Sequence, residues 1–135
     1  MNVPEVLAAM ARHFNLPELT LNPDGVSAVL LPPGVDLHIE VLSGCDEMRW
    51  TMPLGQPDLA CRALVMTEAL LANAVLASFT HRHFAWEADR GQLVLCETHR
   101  LDLLSPDSIP TALETFIRAN REGRQQLQAQ GYFSF

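Results

Sequence analysis

The chain has 135 residues, room for one domain around one core. Its 48% hydrophobic and 19% charged content, with seven Gly and nine Pro, excludes disorder and collagen-like repeats. Sixteen acids against nine basic residues give a net charge of −7, and every basic residue is Arg. Without lysine there is no Schiff-base or P-loop lysine chemistry, and an acidic chain lacking a basic run is repelled by nucleic-acid phosphates.

The start, Met1-Asn2-Val3-Pro4-Glu5, has no basic residue before Arg12 and no apolar leader, so the expected compartment is the cytoplasm. Cys45, Cys61 and Cys96 are odd in number and show no CxxC spacing, which predicts three reduced, structural thiols. Pro4-Glu5 opens a helix in which Val6, Leu7, Met10, Ala11 and Phe14 recur at helical spacing until Asn15-Leu16-Pro17. Asn22-Pro23-Asp24-Gly25 is a turn, followed by a first strand, Val26 to Leu31, that reads as apolar on both faces. Val35, Leu37, Ile39 and Val41 alternate with Asp36, His38 and Glu40 in a half-buried second strand. Met48, Trp50 and Met52 alternate with Glu47, Arg49 and Thr51 in a third.

Leu59 to Phe79 is an apolar run long enough on paper to span a bilayer, but Arg62, Glu68 and Asn73 interrupt it. We therefore expect no membrane span but a deeply buried helix, capped by Asp58 and running to about Ser78. Leu59, Ala63, Met66 and Leu70 fall on one of its sides and Leu64, Leu71 and Val75 on another. Two apolar faces need two partners, the chain's own sheet and a second copy of the chain. Leu64, Leu71 and Val75, with Trp86 nearby, are the expected dimer contacts. Arg82 to Ala88 and Leu93 to Thr98 form a hairpin about Asp89-Arg90-Gly91. Ser105-Pro106-Asp107 begins a last helix with Ile109, Leu113, Phe116 and Ile117 on its apolar stripe and a solvated second half. Tyr132, Phe133 and Phe135 follow as a tail with no evident place in the core.

No nucleophile elbow, P-loop, dinucleotide fingerprint or HExxH is present. His81 and His83 share a strand face, and Asp36, His38 and Glu40 form a second one-sided set, but each reads more simply as solvated surface than as a metal site. Cys96 and His99 suggest a thiol and a base, yet three strand residues separate them by roughly 10 Å. Arg118, Arg121 and Arg124 recur every three residues and, with Glu122 among them, read as a solvated helix face. The chain is expected to be no enzyme and to need no metal or other cofactor.

The fold class that follows is α+β: an antiparallel five-stranded sheet with three helices in the order α-β-β-β-α-β-β-α, one domain over residues 1–135. This order resembles the class I type III secretion chaperones of the Tir chaperone family. The resemblance is carried by Asp24-Gly25, Leu37-His38-Ile39-Glu40, Met52-Pro53-Leu54-Gly55, Leu70-Leu71-Ala72-Asn73 and Gly91-Gln92-Leu93-Val94-Leu95, in that order over nearly the whole chain. The chain departs from the family pattern after Asn73, where Ala74 to Thr80 lacks the usual Gly. The resemblance implies a cytoplasmic, homodimeric, ATP-independent chaperone. Its partners would be the N-terminal segment of a type III secreted effector, a second copy of the chain and the secretion apparatus. It also implies an effector groove lined by the first helix and first two strands, with Met10, Phe14, Val29, Leu31, Leu37 and Ile39 as the expected contacts. A small cytoplasmic α+β enzyme or ligand-binding domain is the alternative.

Overall fold

A computed structural model describes every residue except Pro33, Ser43, Cys45, Phe79, Ser134 and Phe135. The reading of Cys45 as a turn residue and of Phe135 as part of the tail therefore lies outside the described residues. Three helices and five strands follow one another as α1 (Val3–His13), β1 (Val26–Leu31), β2 (Val35–Leu42), β3 (Glu47–Gly55), α2 (Arg62–Leu76), β4 (Arg82–Glu87), β5 (Gln92–Arg100) and α3 (Ser108–Ala129). The strands form one antiparallel sheet in the order β1-β2-β3-β5-β4. Fold class and element order are those expected.

Asn2 caps α1 by accepting from the Glu5 N–H at 2.9 Å, while the Glu5 carboxylate accepts from the Asn2 N–H at 3.3 Å. The helix stops where Asn15 takes φ 56°, a left-handed conformation that asparagine tolerates, and the Leu16 N–H closes back on the Ala11 carbonyl. α1 and α3 cover one face of the sheet. Val6 and Met10 from α1, Ile109, Leu113 and Phe116 from α3, and Leu37, Ile39, Met48, Trp50 and Met52 from the sheet form the core. Trp50 sits at its centre, its ring 4.2 Å from His99 and 6.1 Å from Phe116.

Five sequence expectations are corrected. β1 is not apolar-in on both faces: Val29 and Leu31 are buried, whereas Leu30 is 70% exposed. β1 is an edge strand and no helix covers its second face. The apolar helix is not deeply buried either, since Val65 is its one buried residue among those described. It also begins at Arg62 after a 3-10 turn, Leu59–Cys61, rather than at an Asp58 cap. The second half of α3 is not wholly solvated. Asn120 is fully buried, with its amide donating to the Pro53 carbonyl at 3.0 Å and its oxygen accepting from Arg124 Nε at 3.0 Å. The tail, finally, has a place: Phe133 is buried against Gly55, the Tyr132 hydroxyl donates to Glu68 at 2.9 Å, and the Tyr132 carbonyl accepts from the Asp58 N–H. Gly55 lies at φ 136° beside the bulge in β3, a conformation that an L side chain resists.

Candidate functional site

The two sheet edges differ. On β4 the Asn73 side chain, from α2, reaches across to Phe84, accepting from its N–H at 2.7 Å and donating to its carbonyl at 2.9 Å. One amide group thereby does what a neighbouring strand would do, and Thr80 Oγ1 accepts from the Arg82 N–H in the same row. On β1 the Val41 N–H donates to the Gly25 carbonyl, so Ser27, Val29 and Leu31 face β2 with their main chain and Val26, Ala28 and Leu30 face outward. Asn22 covers Val26, its Oδ1 accepting from the Val26 N–H and its own N–H donating to the Val26 carbonyl. Among the described residues, Ala28 and Leu30 remain as a short open edge.

Beside α1 lies a groove of about 570 Å³ between the helix and the extended segment after it, lined by Val3, Leu7, Ala11, Leu16, Leu19 and Leu21 with Arg12 and Glu18 at its rim. The leucines at 16, 19 and 21 were missed as site residues because they follow Asn15 and Pro17, in a stretch with neither helical nor strand period. Of the six expected groove residues, Met10, Leu37 and Ile39 have no exposed surface, Val29 and Leu31 are buried, and Phe14 is half-buried at the end of α1. None of the six lines this groove; five lie in the core cluster, Phe14 packs against that cluster, and only Phe14 offers appreciable surface.

On the far side, α2 turns its apolar side chains outward. Leu64, Leu71 and Val75 are exposed, Leu59 and Leu70 more so, and Trp86 is half-buried beneath the Arg62 guanidinium at 5.2 Å. By length and composition Leu59–Leu76 could cross a membrane. Its ties to β4 through Asn73 hold it instead along the sheet edge.

The sheet face away from the helices is a trough of about 310 Å³ containing His38, Glu40, Arg49, Thr51, His83 and Cys96. Arg49 donates to Glu40 at 2.7 Å. Burial, and next the nearby Arg49, depresses the His83 pKa. Burial also pushes the Cys96 thiol up, against the opposing contact with Thr51, so it is a poor nucleophile. His99 lies on the opposite face, where it bonds the buried Glu97 at 2.8 Å alongside Arg82. The sheet therefore separates the two members of the Cys96–His99 pair. His81 precedes β4 and is exposed, and no group of three metal-binding side chains forms among the described residues. Arg118 and Arg121 are exposed, as expected of a solvated face, while Arg124 turns in to Asn120.

Solved structures share this fold. A chain of the ExsC–ExsE complex matches with a TM-score of 0.78 at 15% identity, over 93% of this chain and 96% of that one. The HopA1–SchA chaperone–effector complex gives 0.71 at 12% identity, over 90% and 91%. The Yersinia pestis type III secretion chaperone SycH, solved with a fragment of YscM2, gives 0.67 at 15%, over 88% and 97%. None of the curated proteins compared with the chain matches it. Residues 5–124, from the first turn of α1 through most of α3, match the model of the Tir chaperone protein (CesT) family, and the chain belongs to that family.

Proposed function

We propose that this protein is a homodimeric, ATP-independent chaperone, a single domain in the bacterial cytoplasm. It binds the N-terminal segment of a type III secreted effector and keeps it competent for secretion. The observation that carries this reading is that the chain holds both an apolar groove along α1 and, among the described residues, an open strand edge at Ala28 and Leu30. An extended segment meets both needs: its main chain completes the edge and its apolar side chains enter the groove. The family supports the class of function. The HopA1–SchA chaperone–effector complex, which shares this fold, supports the class of partner.

Met10, Val29, Leu31, Leu37 and Ile39 form the floor behind the groove, and Phe14 with Leu16 and Leu19 meets the client. Leu64, Leu71 and Val75, with Trp86 beside them, form the dimer seam, because a soluble monomer rarely leaves so much contiguous apolar surface uncovered. No catalytic residue and no cofactor is assigned, and the secretion apparatus is the second partner of the loaded complex.

The test is purification of the tagged chain with its client from the bacterium that makes it, followed by limited proteolysis. The expected result is two copies of the chain protecting one stretch near the client's N-terminus, in buffer free of nucleotide. A client protected elsewhere, or a complex that assembles only with nucleotide, overturns the proposal.

A further inference from the structure

Residues 1–42, from α1 to the end of β2, hold five acids and one Arg, so less than a third of the chain carries −4 of its net −7. Among these acids the one beside the open edge is Asp36. It stands directly opposite Leu30 in the β1–β2 ladder, on the same sheet face, and is exposed. Glu40, in the same row, is already neutralised by Arg49 at 2.7 Å; Asp36 pairs with no cation among the described residues. Leu30, 70% exposed, is a large apolar side chain on an edge strand, a place that folded proteins usually blunt with charge.

We propose that the client strand pairing with β1 carries an Arg or Lys on the side chain that crosses Leu30. Its aliphatic stem lies along the leucine and its charge meets Asp36. Leu30 and Asp36 form a narrow pair, because the Leu30 main chain points away from β2. A residue bonded to Leu30 from outside then sits one wide pair further off, about 10 Å from Asp36 between Cα atoms. That gap matches the combined reach of a long cationic side chain and an aspartate, with the stem covering the exposed leucine on the way. An acidic or short side chain at the same position leaves Leu30 wet and Asp36 repelled or unpaired. The inference rests on strand pairing at β1 and adds to it the chemical character of the client.

A displayed library of random short peptides, selected on the full-length protein, tests it. We expect the selected peptides to alternate, with apolar residues on one side and Arg or Lys on the other, and to slow amide exchange at Ala28 and Leu30. Asp36→Asn should weaken such a peptide about three- to fivefold, as a half-exposed ion pair does, and Leu30→Ala should weaken it as well. The Asp36 effect should fade between about 0.05 and 0.5 M salt, while Asp107→Asn, far off at the start of α3, changes nothing. Peptides that protect Ala28 and Leu30 but are not basic, or that bind Asp36→Asn as tightly, overturn the cation proposal and leave strand pairing standing. Peptides that leave both amides unprotected overturn both.

Discussion

Asn73 joins α2 to the edge of the sheet through two hydrogen bonds to one residue, Phe84. Each is worth roughly 1 kcal/mol net, so Asn73→Ala should cost about 2 kcal/mol in urea unfolding and leave β4 open to self-association. Asn73→Asp keeps the acceptor, loses the donor, and should recover part of that loss. His83 gives a pH signature. Its pKa is depressed in the fold, so its contribution to stability is complete above the ordinary value of about 6.5 and is lost as pH falls from there through the folded value. His83→Gln should flatten this loss in melts taken between about pH 7 and 5, and an unchanged slope would show that other groups govern it. Asn73 was readable as a marker of the family, but its partner was not, since a residue eleven positions away is brought near only by the fold.

At the scale of elements, α2 separates what its sequence shows from what the sheet accepts. The periodicity revealed two apolar sides, but one protomer covers little of either, and Leu64, Leu71 and Val75 stay exposed. Leu71→Asp should therefore halve the mass seen by light scattering to that of one 15.0 kDa chain, because burying an unpaired carboxylate at the seam costs several kcal/mol. Circular dichroism should stay native, since Leu71 touches no core of its own protomer. In α1 and β2 the outcome reverses. Ile39 and Met10 are fully buried, so a charge at either would unfold the domain and say nothing of the client. Phe14→Ala and Leu19→Asp are the useful variants. A buried apolar anchor at an interface is worth roughly 2 kcal/mol or more, so each should weaken client capture at least about tenfold in a titration; both side chains also pack partly against the core, so the melting point should fall while circular dichroism below the melt stays native.

For the molecule as a whole, the prediction is that capture needs neither nucleotide nor a metal ion. Added nucleotide or a chelator should leave the client complex unchanged by gel filtration, and loss of the complex on chelation would point to a metal at the interface. The class of fold and the order of its elements were determined by the sequence, because period-two and period-3.6 patterns and turn residues are local properties. The place of the aromatic tail, the burial of Asn120 under β3 and the exposure of α2 were decided only by the tertiary structure. So was the difference between the edges, with β4 covered at Phe84 by Asn73 and, among the described residues, β1 left open at Ala28 and Leu30. The physical reason is common to all four. Alternation says that a side chain has an apolar side, but whether anything covers that side depends on which distant segment the packing of the sheet brings to it.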